Sequence, residues 1–305
     1  MPSPSLRRRE FLSGLAALCA PMAALAEEKP EAKAINPCNT PDPGYGGYTH
    51  WTRGISMGQM IAPERGGIAR NGDFDLVIHF HGHDGARKAW VPVMDGPVLV
   101  GITLGIGSGV YESAFRDPQA FSGLLESVEQ VRAEGAGRKQ TRVRRIALTA
   151  WSAGYGAVRS ILSQADARER IDAVILLDGL HCDYAGEGLA TAGLEPFLKY
   201  ARLAAGGSKL MVVSHSSIVP PGYASTTETA NYLVRELGGK ARAAKPRASD
   251  PLGLKLTSRY DLGDFHVRGY AGKAEPDHCA HLGLLSDVLK VHLAPRWSKG
   301  LARRR

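Results

Sequence analysis

From Asp75 to Leu293 short apolar runs alternate with stretches of helical periodicity, and no other feature of the sequence restricts the fold as much. Asp75–His81, Val98–Leu104, Val143–Ala150, Ile171–Leu177, Lys209–Ser214 and Phe265–Tyr270 are expected to be strands. Each is brief and mostly apolar, the pattern of a strand buried on both faces. Pro118–Ala133 carries Phe121, Leu124, Leu125, Val128 and Val131 at helical spacing. Helices are likewise expected over Ala153–Ala165, Leu189–Ala205, Thr227–Leu237 and Cys279–Leu293, the last stopping before Pro295. Parallel neighbours need long crossovers, which helices supply. The alternation therefore predicts an α/β fold, a doubly wound, mostly parallel sheet with helices on both faces. With 305 residues and 44% hydrophobic content, the chain can close one large core, and no gap leaves room for a second domain. Lys240–Asp261 is irregular and is expected to be a surface loop.

The ends are different in character. Arg7, Arg8 and Arg9 precede an apolar stretch, Phe11 to Ala26, that closes on the small-x-small signal Ala24-Leu25-Ala26. Ser13, Gly14 and Pro21 interrupt the stretch, and it falls short of the roughly 20 apolar residues a membrane span needs. Arg8-Arg9-Glu10-Phe11-Leu12 resembles the twin-arginine export signal. Residues 1–26 are thus expected to be an export signal peptide, read by export machinery, with the mature chain periplasmic or secreted. Residues 27–52 are expected as an extended arm, 53–295 as the α/β domain and 296–305 as a basic, solvated tail. The net charge of +8 is partly that of the signal, and no basic patch interleaved with aromatics accompanies it. Nucleic acid is not an expected partner, and the oligomeric state stays open.

In a parallel sheet, ligands bind beyond the carboxyl ends of the strands. Four such places carry chemistry. Ala150-Trp151-Ser152-Ala153-Gly154 lies between an expected strand and an expected helix, an A-x-S-x-G form of the G-x-S-x-G elbow. Small neighbours let a serine sit on a strained turn, and the following helix N-terminus favours negative charge there. His79-Phe80-His81-Gly82-His83-Asp84-Gly85 follows the first strand. Its His-Gly pair suits an oxyanion loop, with the N–H groups of His83 and Ala153 as donors. The alternating histidines also suit a metal, although His79 lies within the strand, where a core histidine is the simpler reading. Asp178 closes the Ile171–Leu177 strand as the candidate acid, with Asp183 its local competitor. Glu275-Pro276-Asp277-His278-Cys279-Ala280-His281 supplies the base; His278, placed before the helix, is preferred over His281 in its first turn. His266 lies inside a strand and reads as structural, Trp151 and Tyr155 as packing residues, and Gly101–Gly109 as a flexible loop near the site.

The order Ser152, Asp178, His278, with AWSAG, HFHGHDG and DHCAHL as motifs, resembles the α/β-hydrolase superfamily from about Arg53 to Leu293. Ala150 replaces the first elbow glycine, and the acid follows a strand one earlier than in most members. The resemblance implies acyl transfer to water by a serine esterase or lipase-like enzyme, with no metal or organic cofactor. The substrate would be a small-molecule or polymer acyl compound. An amidase or peptidase would use the same residues. The sequence is also compatible with a non-catalytic hydrolase-like binding protein or a metal-dependent hydrolase. Removal of residues 1–26 leaves Cys38, Cys182 and Cys279. If Asp178 and His278 meet, Cys182 and Cys279 approach each other and a disulfide between them is expected. Cys38–Cys279 and three free thiols are the competing arrangements.

Overall fold

Nine strands form one sheet in the computed structural model, which describes residues 33–246 and 250–302. In chain order they are β1 (Gln59–Ile61), β2 (Asp73–Phe80), β3 (Val98–Ile102), β4 (Arg142–Trp151) and β5 (Ile171–Leu177), then β6 (Leu210–His215), β7 (Arg242–Ala243), β8 (Lys255–Leu262) and β9 (Phe265–Ala271). The spatial order is β1-β3-β2-β4-β5-β6-β9-β8-β7. The six central strands are parallel, and β1, β8 and β7 run antiparallel to their neighbours.

The strands are apolar on both sides because both sides are covered. Leu76, Ile78 and Phe80 of β2 join one core, while Val77 between them joins the other. The first core is closed by α2 (Ser108–Ala114), α3 (Pro118–Gly135), α4 (Tyr155–Ser163), α5 (Ala165–Arg170), α6 (Glu195–Ala205) and α7 (Thr226–Glu236), through residues such as Leu124, Ile161, Phe197 and Leu233. The second is closed by α1 (His83–Trp90), α8 (Glu275–Val288) and α9 (Ala294–Ala302), through Trp90, Leu285 and Trp297. This is the expected doubly wound α/β architecture, a mostly parallel sheet with helices on both faces.

Several expectations need correction. Lys240–Asp261 is not simply a loop: β8 begins at Lys255 and pairs antiparallel with β9. Flanked on its outer side only by the two-residue β7, β8 exposes alternate residues, which strips it of the apolar run that marks a buried strand. The last helix does not end before Pro295. A turn of π-helix, Leu289–Leu293, leads directly into α9, whose second residue is Pro295. The C-terminal segment is accordingly anchored, not a free tail from 296: Trp297 is buried and Arg296 pairs with Asp264 at 2.6 Å. The arm is also tied down. Arg87 grips Asp42 through both oxygens, Lys88 donates to the carbonyls of Cys38 and Thr40, and Tyr48 is buried. The export signal at 1–26 and the arginines at 303–305 lie outside the described residues. No helix among the described residues is long and apolar enough to cross a membrane.

Candidate active site

The parallel register sets the carboxyl ends of β2, β4 and β5 side by side, with Phe80 opposite Ala150 and Trp151 opposite Leu177. Among the described residues, three that are not glycine have positive φ, and each follows one of these strand ends. They are His81 after β2 (φ 72°), Ser152 after β4 (50°) and Asp178 after β5 (45°). Such conformations cost about 1–3 kcal/mol each and persist only where the surroundings enforce them. The strain is concentrated where the sequence places its chemistry.

Ser152 turns directly from β4 into a short 3-10 turn, Ser152–Gly154, and then α4. The turn demands small residues. A Cβ on Gly154 would lie 2.2 Å from the Phe80 carbonyl oxygen, and one on Gly179 would lie 2.3 Å from that of Ser152. Ala150, where the elbow pattern has glycine, fits because it is still a buried β4 residue paired with Phe80 and Leu176.

Asp178 and His278 meet: Nδ1 of His278 lies 2.7 Å from Asp178 Oδ2. The other carboxylate oxygen accepts from the Ser216 N–H (2.7 Å) and the Thr226 hydroxyl (2.6 Å). Burial pushes the Asp178 carboxyl up, but His281 and His278 beside it and the Thr226 hydroxyl outweigh that and hold it below the ordinary range. His278 is not ahead of the last helix but within its first turn, since α8 opens on Glu275-Pro276. His281, one turn further, is fully buried and pairs through Nδ1 with Ser214 Oγ at 2.8 Å. Burial lowers its pKa to about 4, so it is uncharged at neutral pH. Ser152 Oγ makes no hydrogen bond to His278 among the described residues, a gap common before substrate binds. Asp183 is exposed and lines a cavity that opens at Ser152 instead of joining His278.

Trp151 is more than packing. Its ring stacks on both His81 (centroids 5.1 Å) and His278 (5.0 Å), and its Nε1 donates to the His278 carbonyl. Tyr155 is buried and lines the cavity, and His266 bonds Asp261 at 2.6 Å on the surface. Ser216 and Thr226 carry no sequence signal for this role, because only the packing of α7 against the end of β6 brings them to Asp178.

The histidines of HFHGHDG diverge. His79 is buried between Thr149 Oγ1 and the His81 carbonyl, and burial lowers its pKa to about 3. His81 binds the Tyr111 hydroxyl, and the His83 ring is held by Gln59 and Thr103. No group of three or more metal-binding side chains converges among the described residues. The His83 N–H points at Thr103 Oγ1 across 3.4 Å, a long bond that leaves it weakly committed. Ala153 lines the cavity beside Ser152 and His83 does not.

The thiols stay free: Cys38, Cys182 and Cys279 form no disulfide. Cys182 lines the cavity, whereas Cys279 borders a groove against residues 34–40 of the arm. One residue along a helix is a rotation of about 100°, which carries Cys279 away from the side that presents His278.

The sequence matches no family model and no curated protein. Among solved structures, the chain is similar to a poly(3-hydroxybutyrate) depolymerase from Bordetella parapertussis, with 12% identity and a TM-score of 0.40 over 75% of this chain and 84% of that one. It is also similar to an acylaminoacyl peptidase from Pyrococcus horikoshii, with 14% identity and a TM-score of 0.42. That alignment covers 80% of this chain but spans only 41% of the peptidase.

Proposed function

We propose that the chain is an exported serine hydrolase that cleaves a carboxylic ester through an acyl-enzyme. The observation that carries this reading is Ser152 at φ 50° on a strand-to-helix turn, beside a His278–Asp178 pair 2.7 Å apart. Ser152 Oγ attacks the acyl carbon while Nε2 of His278 takes its proton. Asp178 accepts the Nδ1–H, which leaves Nε2 bare to act as the base and steadies the imidazolium that forms. The N–H groups of Ala153 and His83 receive the developing oxyanion, His83 by releasing its long bond to Thr103. His278 then returns the proton to the departing alcohol, and water repeats the cycle to release the acid. No metal or organic cofactor enters these steps. Export rests on the sequence of residues 1–26.

Fluorophosphonate labelling with mapping of the modified peptide tests the proposal. The adduct is expected on Ser152, with label and ester hydrolysis both lost in Ser152→Ala. Removing a triad serine costs on the order of 10⁶ in rate. A variant that keeps about a tenth of the parent turnover would refute the serine mechanism.

A further inference from the structure

The cavity at Ser152 has a volume of about 310 Å³ and is walled by the rings of Tyr155, His181 and Tyr223. His181 packs in T-shaped contact with both tyrosines, with ring centroids 5.9 and 5.0 Å away. Its Nδ1 lies 2.8 Å from the Ala224 carbonyl, which can only accept, so Nδ1 carries the proton. In the neutral ring Nε2 is then a lone-pair acceptor, and it has no partner among the described residues. Burial holds the imidazole below its ordinary pKa, which keeps it neutral. The exposed carboxylate of Asp183, along the same wall, is a second acceptor with no hydrogen bond to its side chain among the described residues, although its carbonyl accepts from the Ala190 N–H. The wall therefore offers acceptors that a donor on a ligand would satisfy.

We infer that this cavity is a specificity subsite for a short or single-ring substrate group bearing a hydroxyl, which lies against the wall of Tyr155, His181 and Tyr223 and donates to Nε2 of His181. A volume near the bottom of the range for ligand pockets, about 300–1,000 Å³, favours a small group over a long chain. The inference rests on Ser152 being the nucleophile, because the cavity is defined by its place beside that residue.

The test is a set of matched esters whose acyl or alcohol side ends in methyl, hydroxyl or ammonium, read as ratios of kcat/KM. One neutral hydrogen bond is worth about 0.5–1.5 kcal/mol, so hydroxyl over methyl is expected to be favoured about three- to tenfold on one side of the ester. His181→Asn keeps a donor for Ala224 and removes Nε2; His181→Phe keeps only the ring. Both are expected to bring the ratio close to one, with thermal melting reporting that the variants fold. An equal ratio for all probes in the parent, or a hydroxyl preference that survives in both variants, would overturn the subsite. So would an ammonium preference abolished by Asp183→Asn. Absence of hydrolysis on every ester, with no fluorophosphonate adduct, would instead overturn the hydrolase reading.

Discussion

Gly154→Ala tests whether the elbow is as tightly set as its contacts require. The added Cβ would lie 2.2 Å from the Phe80 carbonyl oxygen, a backbone atom that cannot swing aside. Real Cβ contacts stay beyond 3.0 Å, so the turn must retreat from β2 by at least about 0.8 Å. Ser152 lies two residues earlier and is itself clamped, since the Gly179 backbone abuts its carbonyl oxygen. The displacement therefore reaches Ser152 and the Ala153 N–H together. Overpacking of this kind costs about 1–3 kcal/mol, and a misplacement near 1 Å at a reacting group costs about 100-fold in rate. Gly123→Ala is the control: it lies in α3, where a Cβ meets nothing within 4 Å. There the substitution is expected to stabilise by up to about 0.5–1 kcal/mol. Thermal unfolding and ester turnover of the three proteins, parent included, decide the matter. Gly154→Ala with the melting temperature and turnover of Gly123→Ala would refute the reasoning.

Three more expectations follow from the same geometry. His278→Ala should match the loss in Ser152→Ala, while His281→Ala should mainly lose stability. It leaves Ser214 Oγ buried without its partner, a cost of about 1–3 kcal/mol, and greater damage to turnover per folded molecule than in His278→Ala would exchange their roles. Thr226→Val removes a hydroxyl bound to a buried carboxylate and should cost about 1.5–3 kcal/mol at pH 7 in urea melts. Because the Asp178 carboxyl is lowered on folding, its stabilisation is complete above the ordinary 3.8 and fades as the pH falls below that toward the folded value. The gap between Thr226→Val and the parent should narrow in acid; a gap that widens would contradict the assignment. Brief alkylation of the native protein should modify Cys38, which is exposed, ahead of the buried Cys182 and Cys279, and a Cys182–Cys279 crosslinked peptide would show the thiols paired after all.

Much of the fold was legible because its central strands are buried on both faces. Ile171–Leu177 matches the expected strand end for end, as a continuous apolar run must when every neighbour is protein. The edges were not legible for the converse reason. The three residues of β1 are too few to show a period, and β8 faces solvent on alternate positions. At the site, the elbow was readable because its constraint is local: a strand, a serine, small residues and a helix in one stretch. The position of His278 was misread although Pro276 stands where helices accept proline, in the first turn. Thr226, Ser216 and the divergence of the three rings in HFHGHDG depend on distant chain segments, and residue spacing carries no record of them.

The stack of His81, Trp151 and His278 gives the site a light-sensitive member. The indole lies 5.1 and 5.0 Å from the two imidazoles, nearly parallel to both, so a proton arriving on either ring puts a cation against its face. Among the described residues, Trp51, Trp90 and Trp297 lie elsewhere in the fold and none of them stacks on two imidazoles. Under the proposed mechanism the emission of Trp151 would carry a record of the proton as it passes through His278, in a form that can be followed in stopped flow without a coloured substrate or an attached dye.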